Sequence, residues 1–110
     1  MRTRSAHRLI LSTCPNLRTA RRIATALVTE RHAACVNLVP VAQSIYRWKG
    51  KVESAREVLL LIKARASAYK RIETRIRALH PYTLPEIVSI AIAEGSERYL
   101  AWIGEPDRVQ

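Results

Sequence analysis

Three side chains of this sequence, His80, Glu86 and Cys14, are of types that could together bind a transition metal. Pro81 fixes the exit of the chain after His80, and Glu86 follows His80 by six residues. If the intervening loop folds back, an imidazole nitrogen and a carboxylate oxygen meet, and Cys14 adds a sulfur. Ligands of such mixed softness suit copper better than calcium or magnesium. The structural alternatives are a His favoured at a helix C-terminus and a Cys buried as a small apolar residue.

A second candidate site is a ligand pocket lined by Tyr46, Trp48 and Tyr82, with Lys63 as an anchor for an anion. The alternative is that these aromatic side chains lie at a boundary between subunits, where Trp and Tyr are enriched. The sequence shows no nucleophile beside a base, no glycine-rich phosphate loop and no catalytic pair of carboxylates. We therefore expect a binding protein rather than an enzyme, with no required cofactor and with Cu²⁺ or another divalent metal as the candidate ion.

The length and charge of the chain limit the classes of protein to consider. Its 110 residues predict a single domain over residues 1–110, and 48% apolar with 25% charged residues are typical of a globular fold. Nineteen Lys and Arg residues against nine Asp and Glu residues give a net charge of +10. Such a charge would suit nucleic acid, but the cations are scattered rather than clustered. We expect no specific nucleic-acid partner.

The sequence also bears on where the protein works. No uncharged apolar run approaches the ~20 residues of a membrane-spanning helix. The basic start from Met1 to Arg8 is followed by only Leu9-Ile10-Leu11 before Ser12, which is too short for the core of a signal peptide. Two cysteines are too few for a disulfide scaffold. We expect a cytoplasmic protein with no membrane partner.

The elements that must position these residues follow the order β-α-β-β-α-β, with a short C-terminal helix. Apolar periodicity predicts one helix capped by Asn16 and extending to about His32, and a second one capped by Ser67 and ended by His80-Pro81. The remaining predicted elements are strands over 8–13, 33–48, 52–63 and 87–92, a turn over 49–51 and a helix over 96–104. Pro40 predicts a bulge in the second strand. The order is that of a ferredoxin-like α+β fold, an antiparallel sheet with both long helices on one face.

Two of the predicted strands are apolar on both faces. Val58–Ile62 and Leu9–Leu11 contain only apolar residues, whereas an antiparallel sheet with one face in water alternates polar and apolar side chains. The two helices cover one face only. We therefore expect a second copy of the chain to cover the other face.

Five short segments, taken in order and spacing, resemble the CutA family of divalent-cation tolerance proteins. The resemblance covers about Leu9 to Ile103. The segments are Ser12–Asn16, Ala33–Leu38, Ser44–Lys51, His80–Glu86 and Tyr99–Trp102. The resemblance implies a ferredoxin-like subunit in a homotrimer, similar in plan to the PII signalling proteins. It also implies a role in tolerance of copper and other divalent metals.

The resemblance further implies candidate copper ligands, since some members have been proposed to use a Cys near the end of the first strand and His at the end of the second helix. This chain has Ser12 in place of that Cys, with Cys14 two positions later. It has Leu79-His80 in place of two consecutive His, so His80 matches directly. We therefore expect metal binding to be weak.

Two other functions remain as alternatives. One is a PII-like sensor that binds a small molecule or an anion in clefts between subunits. The other is a ferredoxin-like RNA-binding module, which needs aromatic side chains on its two central strands for bases to stack on. The chain has no Phe, and its candidate central strands are aliphatic, so the RNA-binding module is the less favoured of the two.

Overall fold

The structure, a computed structural model, describes residues 6–108 and follows the predicted order of elements. The strands are β1 (His7–Cys14), β2 (Cys35–Trp48), β3 (Lys51–Arg65) and β4 (Val88–Ala91). The helices are α1 (Leu17–Thr29), α2 (Tyr69–Leu79) and α3 (Glu97–Gly104), and a 3₁₀ turn (Ala66–Ala68) precedes α2. The two ends of the predicted domain, residues 1–5 and 109–110, lie outside the described residues.

The four strands form one antiparallel sheet in the order β2-β3-β1-β4. This order, together with the βαββαβ connectivity, confirms the predicted ferredoxin-like α+β fold. None of the described helices is long and apolar enough to cross a membrane.

Hydrogen bonds at both ends of helix α1 set its limits, and the sequence predicts the first of the two ends. Asn16 has an extended backbone, and its Oδ1 accepts a hydrogen bond of 2.8 Å from the Thr19 N–H, as predicted for an N-cap. The helix ends at Thr29, before the predicted His32, because Arg31 adopts the left-handed region at φ 64. The N–H groups of Arg31 and His32 then donate to the carbonyls of Val28 and Leu27, which closes the helix in a Schellman arrangement.

The predicted cap of α2 is wrong, whereas its predicted end is confirmed. Ser67 lies inside the 3₁₀ turn, Ala68 occupies the N-cap position, and no side chain caps the helix. The chain therefore enters α2 through a tighter helical turn instead of through an extended capping residue. At the other end His80 is extended, with φ −81 and ψ 137, as expected for a residue before Pro81. Ser96 occupies the N-cap position of α3, but its side chain makes no capping hydrogen bond.

Strands β2 and β3 form a long hairpin. Its two-residue turn, Lys49-Gly50, has positive φ at both positions, 50 and 81, as in the type I′ turn that matches the twist of paired strands. The register shifts between Val39 and Ala42, which confirms the bulge predicted near Pro40. The shift separates the part of β2 that lies next to the helices from the outer part of the hairpin.

The sheet has one covered face and one open face. On the covered face Ile10, Leu60 and Ile62 are fully buried, in a core completed by residues of both long helices. The strand register places a second set of apolar side chains on the opposite face, where they are only partly buried or exposed. We call this set the open face: Leu9, Leu11, Leu59, Leu61, Val88 and Ile90. Within the described residues the two long helices leave this face uncovered, as the sequence predicted.

Candidate functional site

A groove lies where the end of β1, the base of the β2–β3 hairpin and the loop after α2 meet. It has a volume of about 400 Å³, which is within the range of small-molecule sites. Ser44, Tyr46 and Trp48 alternate along β2, so their side chains share one side of the strand. The lining residues of the groove are Thr13, Ser44, Tyr46, Trp48, Glu57, Tyr82, Thr83, Leu84 and Glu86.

Glu57 is the buried charge of the groove. It is only 8% exposed, and β3 places it opposite Ala42, just beyond the bulge. The Ser44 hydroxyl donates to its Oε1 at 2.6 Å, and the Tyr82 hydroxyl donates to its Oε2 at 3.1 Å. Among the described residues no Lys or Arg forms an ion pair with it. Glu57 is not among the site residues predicted from the sequence, although its position next to the apolar run Val58–Ile62 is a signal of burial.

His80 holds the loop after α2 against the end of β1. Its Nε2 lies 2.7 Å from the Thr13 carbonyl oxygen, and its Nδ1 accepts a hydrogen bond of 3.1 Å from the Tyr82 N–H. Since a carbonyl only accepts and an N–H only donates, the proton sits on Nε2 and the ring is neutral. His80 is 7% exposed, and its ring centroid is 4.7 Å from that of Tyr82. In this arrangement both ring nitrogens are engaged, and the ring positions Tyr82 at the groove.

Cys14 lies at the end of β1 and is fully buried. Burial, with a smaller contribution from the negative charge of Glu57, raises the pKa of the Cys14 thiol to about 11. A thiol binds metal as the thiolate, so this environment keeps Cys14 in the form that does not ligate near neutral pH. Burial also raises the pKa of Tyr82 to about 12, with its hydrogen bond to Glu57 as the next cause. The Tyr82 hydroxyl therefore keeps its proton and donates it to Glu57.

The predicted metal ligands lie in the same region but do not form one cluster. Glu86 is exposed and lines the groove, while His80 and Cys14 are buried beside it. Over residues 6–108 no group of three or more His, Cys, Asp or Glu side chains is arranged to hold a metal ion. The assignment of His80, Cys14 and Glu86 as ligands stays a prediction.

The structure brings together the three aromatic residues of the predicted ligand pocket but not Lys63, and the pocket itself stays a prediction. Tyr46, Trp48 and Tyr82 line the groove together. Lys63 does not line it, because Lys63 is six residues from Glu57 on an extended strand, a separation of roughly 20 Å. The Lys63 ammonium instead donates to the Tyr99 hydroxyl at 3.1 Å, and this hydrogen bond raises the pKa of Lys63.

The charge of the groove is opposite to that of the chain. The lining includes two carboxylates, Glu57 and Glu86, and no Lys or Arg, in a sequence of net charge +10. Carboxylates and aromatic rings attract cations and repel anions. The groove therefore suits a cationic ligand.

Comparison with known proteins shows one family. The family model "CutA1 divalent ion tolerance protein" matches residues 8–106. The divalent-cation tolerance protein CutA of Thermus thermophilus is 53% identical over 97 residues, which are 88% of this chain and 94% of that protein. Protein CutA of Homo sapiens is 44% identical over 91 residues, which are 83% of this chain and 51% of that protein. This chain therefore spans nearly the whole bacterial relative and about half of the human one.

Solved structures show the same likeness. The structure of the divalent cation tolerance protein from Thermus thermophilus has a TM-score of 0.88 and 52% identity, and the match covers 90% of this chain and 96% of that chain. The two chains therefore share the fold over nearly their whole lengths.

Proposed function

The chain belongs to the CutA1 divalent ion tolerance protein family, and we propose that it serves in tolerance of divalent cations, copper among them, as a homotrimer that binds metal weakly. The observation that carries this proposal is the family match over residues 8–106, supported by 53% identity to a relative named for divalent-cation tolerance. We propose a binding role rather than catalysis, because the family is named for tolerance of divalent ions.

The open face supports assembly with further copies of the chain. Val88 and Ile90 are 47% and 48% exposed, and Leu61 is partly exposed beside them across β1. Apolar side chains on three neighbouring strands are what a partner sheet or helix buries. Three copies that close head to tail would cover this face and also pair the sheet edges at β2 and β4.

The donors around the groove support weak metal binding. Glu86 is the exposed donor, since Glu57 already accepts two hydrogen bonds and Cys14 is a buried, protonated thiol. A metal that recruited His80 would have to displace the Thr13 carbonyl or the Tyr82 N–H from its ring. Copper should bind more tightly than zinc, because copper heads the Irving–Williams order for nitrogen, oxygen and sulfur ligands.

Calorimetric titration of the protein with Cu²⁺, Zn²⁺ and Mg²⁺ tests this proposal. We expect affinity in the order Cu²⁺, Zn²⁺, Mg²⁺, with the largest loss of copper binding in Glu86→Gln, a smaller loss in His80→Ala and little change in Cys14→Ser, whose thiol is protonated. Glu97→Gln is the matched control, because Glu97 is an exposed carboxylate on α3 outside the groove lining. If all three site variants bind copper as the parent does, the ligand assignment is wrong. If copper does not bind at millimolar concentration, direct metal binding is wrong.

A small-molecule sensor is the second candidate function, and the 400 Å³ groove is the observation that favours it. A sensor that binds an anion in this groove would lack the predicted cationic anchor, because Lys63 does not line the groove. The RNA-binding alternative has no support from the sheet, since β1 and β3 carry no Phe, Tyr or Trp for bases to stack on. We keep the proposal that the chain has no specific nucleic-acid partner.

We propose the cytoplasm as the compartment, on the two free cysteines Cys14 and Cys35. Relatives occur elsewhere, since the Arabidopsis thaliana protein is named chloroplastic. Fractionation of cells that produce the protein at its native level tests this proposal, and recovery in a membrane or periplasmic fraction would contradict it.

A further inference from the structure

Glu57 is a buried carboxylate without a counter-charge, which is costly in a folded protein. The residue is 8% exposed, and its two hydrogen bonds come from the neutral hydroxyls of Ser44 and Tyr82. Neutral donors compensate only part of the lost hydration of a carboxylate, so buried carboxylates are usually paired with a cation. The chain has 19 Lys and Arg residues, yet none in the described part pairs with Glu57. The described residues therefore supply no counter-charge to Glu57, and a bound cation would supply one.

The walls of the groove indicate what kind of cation would fit. In a single chain Tyr46, Trp48 and Tyr82 are 39% to 46% exposed around the cavity, so their ring faces are open to it. Aromatic rings attract organic ammonium ions through the negative charge of their faces, and such ions also bury their methyl or methylene groups against the rings. A carboxylate beside several aromatic rings is the combination that recognises an ammonium group.

A bare metal ion and an anion both fit this part of the groove less well. A divalent metal needs several converging donors, and over residues 6–108 no group of three His, Cys, Asp or Glu side chains provides them. An anion would meet Glu57 and Glu86 with no Lys or Arg in the lining to offset them. A small organic cation needs only the charge, the rings and a volume of the observed size, about 400 Å³.

We propose that the groove binds a small organic ammonium ion, whose charge Glu57 and Glu86 neutralise and whose alkyl groups the three aromatic rings surround. Glu57 supplies the fixed charge at the base of the groove, held by Ser44 and Tyr82, and exposed Glu86 supplies a second charge at its rim. His80 keeps Tyr82 in place through the backbone N–H of Tyr82. The site goes beyond the proposed metal tolerance and does not depend on it.

Calorimetry with simple probes tests the proposal on the intact protein at low ionic strength. The probes are butylammonium and tetramethylammonium chloride, with butanol as the neutral control and sodium butyrate as the anionic control. We expect both ammonium ions to bind, and butanol and butyrate to bind at least tenfold more weakly. Equal binding of butanol and butylammonium would overturn the proposal, and so would the absence of any ammonium binding at about 100 mM.

Two variants and two matched controls locate the site. Trp48→Leu removes a half-exposed ring near the hairpin turn, and Glu57→Gln removes the buried charge while keeping an oxygen for one of its two hydrogen bonds. Each should weaken ammonium binding about tenfold. Tyr99→Leu and Glu97→Gln should leave it unchanged, because both residues lie on α3 outside the groove lining. Unchanged binding by Trp48→Leu, whose ring contributes little to the core, would overturn the proposal even if Glu57→Gln failed to fold.

A copper titration of the same samples separates this inference from the proposed metal function. We expect Trp48→Leu to lose ammonium affinity and to keep the copper affinity of the parent. Ammonium binding without copper binding would refute direct metal binding and support the site proposed here. Copper binding without ammonium binding would support direct metal binding and overturn the ammonium site.

Discussion

The two neighbouring leucines Leu60 and Leu61 should respond to substitution in different ways. Leu60 is fully buried against the helices, whereas Leu61 lies on the open face and is partly exposed. Leu60→Ala leaves a cavity in a closed core and should cost about 2–5 kcal/mol of unfolding free energy. For a domain of this size such a loss lowers the melting temperature by ~10–30 °C. Leu61→Asp instead places a charge where a partner copy is proposed to lie.

Thermal unfolding followed by circular dichroism, combined with light scattering, distinguishes the two responses. Leu60→Ala should keep the mass of the assembly at low temperature and melt early. Leu61→Asp should have the mass of one chain and a folded spectrum at low temperature. Arg71→Asp is a matched control, since Arg71 is exposed on α2, which lies away from the open face. If Leu61→Asp keeps the parent mass, or if Leu60→Ala melts within about 2 °C of the parent, the assignment of the two faces is refuted.

Four further outcomes follow from particular contacts. Asn16→Ala removes the side-chain cap of α1 and should cost about 1 kcal/mol in denaturant unfolding, whereas Asn16→Ser should cost less. Because Arg31 adopts a left-handed backbone, Arg31→Gly should be more stable than Arg31→Ala by about 1 kcal/mol in the same assay. The pKa of Cys14 is raised to about 11, so its stabilising contribution, on the order of 2 kcal/mol, is present below about pH 9 and is lost as the pH rises through 11. Unfolding of Cys14→Ala should show a weaker decline over that range. The net charge of +10 should give sequence-independent duplex DNA binding that is detectable by fluorescence anisotropy at low salt and lost near roughly 150 mM.

Local signals in the sequence predicted the fold well. Asn16 caps α1, Pro40 lies at the register shift of β2, and Pro81 follows His80, the C-cap of α2, because each acts through its own backbone neighbours. Ser67 was predicted as the cap because Ser is favoured at the N-cap of helices. That preference belongs to the residue type and does not reveal the 3₁₀ turn that places Ser67 before the N-cap residue, Ala68. Capping preference describes one residue and not the path by which the chain enters the helix.

The groove was harder to predict because it depends on register and on a distant loop. Glu57 is read from the sequence as one residue of a strand, and it becomes buried through contacts with Ser44 and Tyr82, which are 13 and 25 residues away. Lys63 was placed in the pocket by its type, whereas the register puts it opposite Leu9 and Cys35. The hydrogen bonds of His80 to Thr13 and Tyr82 engage both of its ring nitrogens. The sequence does not show these contacts, so it could not show that His80 must break one of them to bind a metal.

The proposed metal function places copper at Glu86, the exposed carboxylate at the rim of the groove. Anomalous X-ray diffraction at the copper edge, from crystals soaked in a copper salt, tests it most directly. We predict an anomalous peak in the groove within bonding distance of Glu86, and loss of this peak in Glu86→Gln crystals. A peak at another position, such as His7 on the far end of β1, with none in the groove would contradict the claim.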